Sequence, residues 1–140
     1  MIASAAVIAG LAGCAQSSPS SDIDESEVKL VFHPSTGGRS TATRERVVLI
    51  NTSDRDLELT DYRLKYDSGE SYTFDKLELD PRGKVLVVSQ GHGDGRGKSN
   101  PPVYVRNAGF ESLVLSDGRA EISLVAPGGD IVVKRKYKDS

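Results

Sequence analysis

From position 28 onward, apolar residues recur with a period of two rather than 3.6, and this pattern restricts the chain to sheet structure. The segments 28–32 (VKLVF), 46–50 (RVVLI), 57–59, 62–66, 71–74, 84–89, 121–125 and 131–137 read as short strands. Turn residues stand between them: Asn51-Thr52-Ser53-Asp54, Asp67-Ser68-Gly69, Asp80-Pro81-Arg82-Gly83, Ser116-Asp117-Gly118 and Pro127-Gly128-Gly129-Asp130. Pro presets φ at the second turn position, and Gly accepts a positive φ later in the turn. Strands at a spacing of roughly 8 to 12 residues, with no amphipathic helix between them, predict an antiparallel sandwich or barrel. The alternation nominates a core of Val47, Leu49, Leu57, Leu59, Tyr62, Leu64, Phe74, Leu79, Val87, Ile122 and Leu124, with Glu58, Arg63 and Lys65 facing water. Val48 and Ile50 depart from it: they are apolar where the strand should face outward. Either a loop or the N-terminal strand covers them, which is the preferred reading, or they leave an apolar stripe for a partner.

The 140 residues suffice for one domain and a tail. Eighteen basic against twenty acidic residues give a net charge of -2, which argues against a strongly basic nucleic-acid binder. A single cysteine excludes an intrachain disulfide and any cysteine-built metal cage, and no cofactor is expected.

That cysteine, Cys14, follows a run of small and apolar residues ending in Leu11-Ala12-Gly13 and precedes a Ser-rich stretch. The run is too short to span a membrane, which takes about 20 residues. It is laid out as an export signal, and L-A-G-C resembles the lipobox of prokaryotic lipoproteins. That resemblance implies cleavage before Cys14, its alkylation by diacylglycerol, and a lipid anchor facing out of the cytoplasm in the cell envelope. No Lys or Arg precedes the run, as a start codon upstream of Met1 would explain. The alternative is an apolar N-terminal helix with Cys14 as a buried thiol. Residues 15–27 are Ser, Pro and acid with almost nothing to bury, so they read as a flexible tether. The division is therefore a signal at 1–13, the lipidated cysteine and tether at 14–27, and a folded domain at 28–138. The acidic cluster Asp22, Asp24, Glu25, Glu27 reads as a solvated charge run rather than a cation site, since no ligand loop accompanies it.

The order E-x-V-x-L-x-N at 45–51, a polar turn, then Leu57, Leu59, Asp61-Tyr62 and Leu64 resembles the opening of the lamin tail domain family. Tyr72-Thr73-Phe74, the turn at 79–83, the apolar strand 85–88, Ile122-Ser123-Leu124, Gly128-Gly129 and 131–133 continue the resemblance over about residues 28–138. Asp61-Tyr62 stand where that family usually has Gly-Trp, and Tyr62 reads as a core aromatic with its hydroxyl satisfied. The resemblance implies an all-β fold, an immunoglobulin-like antiparallel β-sandwich of the lamin tail type.

Residues able to do chemistry are few. His33, before Pro34, reads as a turn residue without a nucleophile beside it. In Gly91-His92-Gly93-Asp94-Gly95-Arg96-Gly97, the glycines offer backbone N–H groups to an anion, with Arg96 adding charge. The run fits neither a dinucleotide fingerprint nor a P-loop, and His92 with Asp94 falls short of a metal ligand set. A hairpin or crossover loop is the preferred reading, with anion or carbohydrate contact behind it. No Ser stands in a hydrolase elbow, and an enzyme is not expected. Lys134, Lys136 and Lys138 line one face of the last strand. They read as guards of a sheet edge, with nucleic-acid or anionic-lipid contact as the lesser alternative. Two function classes follow. One is a membrane-anchored, non-catalytic binding or scaffolding module whose partner is a protein or an envelope polymer. The other is an accessory domain of a separately encoded envelope nuclease or hydrolase, with polyanion or polysaccharide contact.

Overall fold

The computed structural model describes residues 22–36, 44–90, 95–97, 99–115 and 120–137. Each of the eight segments read as strands holds one, and the described residues add three more, at 78–79, 95–96 and 103–107, for eleven strands and a single 3₁₀ turn, Glu25–Glu27. In chain order the strands are β1 Val28–His33, β2 Arg46–Asn51, β3 Leu57–Glu58, β4 Arg63–Tyr66, β5 Ser71–Thr73, β6 Glu78–Leu79, β7 Lys84–Val88, β8 Gly95–Arg96, β9 Val103–Asn107, β10 Glu121–Val125 and β11 Ile131–Lys136. One sheet has the order β1-β2-β7-β9-β8 and the facing sheet β11-β10-β4-β5, while β3 and β6 form a short ladder of their own. The whole is an immunoglobulin-like β-sandwich.

Every residue nominated for the core is buried, from Val47, Leu49, Leu64, Phe74, Ile122 and Leu124 at 0% exposure to Tyr62 at 4%. The registers explain why. Leu30, Leu49 and Val85 stand abreast across β1, β2 and β7, and Tyr66 and Leu64 lie opposite Ile122 and Leu124. Both rows therefore project into the space between the sheets. Tyr62 accepts a hydrogen bond from the backbone of Ile23, so its hydroxyl is satisfied as expected.

Among the described residues the sandwich is antiparallel except for one pair. β7 and β9 run parallel, Lys84 opposite Val103 through Val88 opposite Asn107. A parallel pair needs a long crossover. Here it is the glycine-rich connection, whose Gly95 and Arg96 form β8 and pair antiparallel with Val105 and Tyr104.

Two local features differ from expectation. In the turn at 80–83, the positive φ falls on Arg82 (68°) rather than on the glycine. Gly83 is needed for space instead, because a Cβ there would sit 2.9 Å from the Asp80 carbonyl oxygen. Arg82 is held by hydrogen bonds to the Thr52 and Ser53 carbonyls, 2.8 and 3.1 Å. Asp61, standing where the family pattern has Gly, also takes a left-handed conformation, φ 70°, which Asp tolerates better than most residues.

The tether is also shorter than it reads. From Asp22 on, the chain belongs to the domain, since Ile23 is buried at 8% within the core. Asp24 and Glu27 form a capping box around the 3₁₀ turn. Arg55 donates to the Asp22 carbonyl at 2.6 Å and to both Glu27 carboxylate oxygens at 2.6 and 2.9 Å. One isoleucine and one forked guanidinium are enough to dock an otherwise polar segment.

Candidate functional site

The two ends of β2 show how the alternating motif closes the domain. Glu45, Val47, Leu49 and Asn51 all point inward, and the two polar members are as buried as the apolar ones. The Glu45 carboxylate accepts from the backbone N–H of Val114 (2.8 Å) and Leu115 (2.7 Å) and from the Ser89 hydroxyl. Asn51 donates to the carbonyls of Arg55, Leu79 and Asp80 at 2.7 to 3.0 Å, and its carbonyl oxygen accepts from the Ser53 N–H and hydroxyl. These residues tie flanking loops to the core. The sequence marks them only as polar residues at inward positions of an apolar strand.

The outer face of the five-stranded sheet carries Val48 and Ile50. Val31, Val48, Leu86 and Val105 stand abreast across four strands, and the next row runs Lys29, Ile50, Lys84, Val103. Val48, in the middle, is buried at 6% by its neighbours and offers almost no surface of its own. Ile50, Val31, Leu86, Val103 and Val105 are half-buried. An aliphatic band thus crosses the sheet with lysines beside it. On the next row, His33 pairs with Arg46 across β1 and β2. Burial and then the Arg46 charge push the His33 imidazole below its ordinary pKa, so it is a neutral member of a strand rather than of a turn.

β11 is an edge strand, as its lysines suggest. Lys134, Arg135 and Lys136 are exposed, and Tyr137 turns in to meet Phe32 edge to face, ring centres 5.9 Å apart. Because β1 is the adjoining edge of the other sheet, a groove of about 450 Å³ runs between Lys29, Leu30, Val31 and Phe32 on one side and Arg135, Lys136 and Tyr137 on the other.

Arg96 has a setting the sequence did not show. Its guanidinium lies 5.8 Å from the ring centre of Tyr104, and Arg106 lies 5.4 Å from the same ring. Two cations share one aromatic ring on β8 and β9. The V-Y-V-R alternation of 103–106 is the signal that would have found the strand. Cys14, His92, Asp94 and Lys138 lie outside the described residues. Among the described residues there is no group of three or more His, Cys, Asp or Glu placed to hold a metal ion. No helix of the described residues is long and apolar enough to cross a membrane.

No curated protein matches the chain. The family model of the lamin tail domain matches residues 17–139, nearly the whole sequence and the whole sandwich. A sandwich closed by an E-x-V-x-L-x-N strand, with a left-handed residue where the pattern has glycine and matched from end to end by that model, belongs to the lamin tail domain family, a family of non-catalytic immunoglobulin-like modules.

Proposed function

We propose that this chain is a membrane-anchored, extracytoplasmic binding or scaffolding module of a prokaryotic cell envelope, tethered by lipid at Cys14 and engaging a protein or envelope polymer through its sheet surface. The observation that carries the binding part is the aliphatic band Val31, Ile50, Leu86, Val103, Val105 beside Lys29 and Lys84, open on the outer face of the larger sheet. Apolar side chains ranked across four strands and bordered by charge are what a protein contact desolvates. The anchor rests on the L-A-G-C sequence and the polar stretch after it. Two or more acyl chains, at about 0.8 kcal/mol per buried CH₂, hold a protein to a bilayer stably, whereas one is marginal.

Labelled fatty acid should enter the wild type, and Cys14→Ser should abolish both the label and membrane retention. An unlabelled, soluble wild type refutes the anchor. Leu86→Lys should release an envelope partner that the wild type retains, with the fold intact by circular dichroism. Retention unchanged by Leu86→Lys refutes the binding face. A second reading, an accessory domain for a separately encoded envelope nuclease or hydrolase, draws on the Arg96–Tyr104–Arg106 cluster, whose paired cations suit a polyanion. Binding to a polyanion that weakens with salt and with Arg96→Gln would favour it.

A further inference from the structure

The two sheets end side by side at β1 and β11, and neither strand has a ladder on its outer side among the described residues. A free edge of this kind is a template for another strand. Charge is divided along it. Where β11 begins, Asp130, Asp22, Asp24 and Glu25 surround a recess of about 350 Å³. That recess also holds Ile131, at 55% the most exposed large apolar side chain among the described residues. Where β11 ends, Lys134, Arg135 and Lys136 stand exposed, with Lys29 across the groove.

Lysine along the whole edge would repel any like strand. A strand that is acidic at one end and basic at the other repels a copy of itself only when the two run parallel. An antiparallel approach reverses the second copy and lays carboxylates beside lysines. We propose that β11 pairs antiparallel with β11 of a second copy of this chain, about a two-fold axis at Val133, to give a homodimer. Such an interface is isologous, so each favourable pair is made twice. With the axis at Val133, the acidic start of each copy, with Asp130, lies beside the basic end of the other, with Lys136, and the bulge at Val132 shifts the register between them by one residue. Residues two apart share a face of a strand. A bulge interrupts this alternation in β11: Val133 lies opposite Leu124 but Ile131 opposite Val125, so Ile131 lies on the face of Lys134 and Lys136 and not on that of Arg135. The aliphatic stems of Lys134 and Lys136 of the second copy then cover the exposed Ile131. The lysines of the edge set the direction of pairing.

The test is sedimentation of the full-length chain in a non-ionic detergent, across the micromolar range and at two salt concentrations. The wild type should be a dimer that weakens as salt rises. Asp130→Lys and Lys136→Asp each set like charges opposite one another twice, and each should weaken the dimer by about tenfold or more. Mixed one to one, the two variants should dimerise again, because every opposed pair in the mixed dimer is once more of opposite sign. The doubly substituted chain should dimerise alone for the same reason. Association through a lipid anchor would respond to none of these changes. A wild type that stays monomeric at every concentration overturns the proposal, including one whose edge instead takes up an acidic peptide of another protein. So does a dimer indifferent to either substitution, or natively folded variants that neither mixing nor the double substitution restores. If a reversal loses the β spectrum, Lys136→Gln decides, since it keeps the strand and removes the charge. A dimer of unchanged strength in Lys136→Gln then overturns the proposal, and a weaker, less salt-sensitive one supports it.

Discussion

Replacing Asn51 with Ala removes both amide hydrogens that hold the β3–β6 end of the sandwich and the acceptor that shapes the turn after β2. The Leu79 carbonyl is buried with its donor 3.0 Å away. It also stands in the β3–β6 ladder opposite Leu57, so losing the Asn51 donor costs about 0.5–1.5 kcal/mol. The Arg55 and Asp80 carbonyls and the Ser53 N–H are only part-buried and regain water. Each of them loses just the net value of a hydrogen bond, about 0.5–1.5 kcal/mol. Asn51→Ala should therefore destabilise the domain by roughly 2–6 kcal/mol, out of about 5–15 kcal/mol for a domain of this size. At roughly 4 °C per kcal/mol, the midpoint should fall by about 8–24 °C. Thermal unfolding followed by circular dichroism, with urea unfolding beside it, gives both numbers. Asn51→Asp sharpens the comparison. It keeps the acceptor for Ser53 but turns an anionic oxygen toward three carbonyls, so it should be at least as damaging at neutral pH. A loss below about 1 kcal/mol for Asn51→Ala, or a milder effect for Asn51→Asp, would refute the reasoning.

The Tyr66 hydroxyl is buried with no hydrogen-bond partner among the described residues, and burial, then the Glu45 and Tyr72 charges, push its ionisation far above the ordinary range. Tyr66→Phe keeps the ring edge-to-face on Phe110 at 5.0 Å and should leave stability unchanged or raise it by up to about 1 kcal/mol in urea unfolding. A loss above that size would mean the hydroxyl is satisfied after all. Acid should release the N-terminal segment first. The Arg55 hydrogen bond and the Asp24 backbone hold the Glu27 carboxylate below its ordinary pKa, and Ser26 does the same for Asp24. A carboxylate with a depressed folded pKa lends its stability above the ordinary value, and that stability disappears as the pH falls through the folded one. Hydrogen exchange over residues 22–28 should therefore quicken in that acidic window before β2 does, and Arg55→Met should abolish the difference.

The alternation that fixes Val47, Leu49, Leu64, Ile122 and Leu124 in the core is legible because the side-chain period of a strand is a local property. Its hydrogen-bond partner is not, so the parallel pairing of β7 with β9 could not be read from 84–88 or 103–107 alone. β6 and β8 are two residues each, too short for a period to register, whereas β3, as short, is marked by Leu57 and Leu59. Ile23 stands alone in an acidic stretch, and its burial depends on Arg55, far away in sequence. The candidate surfaces were legible in the same uneven way. Lys134 and Lys136 mark an edge because charge on a terminal strand has few other uses, and Val48 and Ile50 mark an apolar outer face because they break the alternation. The exposed members of that face, Leu86 and Val105, follow only from the lateral register. Glu45 and Asn51 looked like strand boundaries, since a polar residue at an inward position is read as the end of a pattern unless its partners are known.

The Arg55 clamp also determines how the domain bears load. A pull applied through the chain that precedes Asp22 reaches Arg55 before it reaches any strand, because the guanidinium grips both the Asp22 carbonyl and the Glu27 carboxylate. Only after that grip yields does tension arrive at Val28, where β1 lies antiparallel to β2 and opposite Asn51. A force along the strand then shears the whole β1–β2 ladder at once, whereas a force across it peels the ladder one bond at a time. The clamp thus acts as a mechanical fuse, giving way at the periphery while the hydrogen-bonded body behind it stays closed.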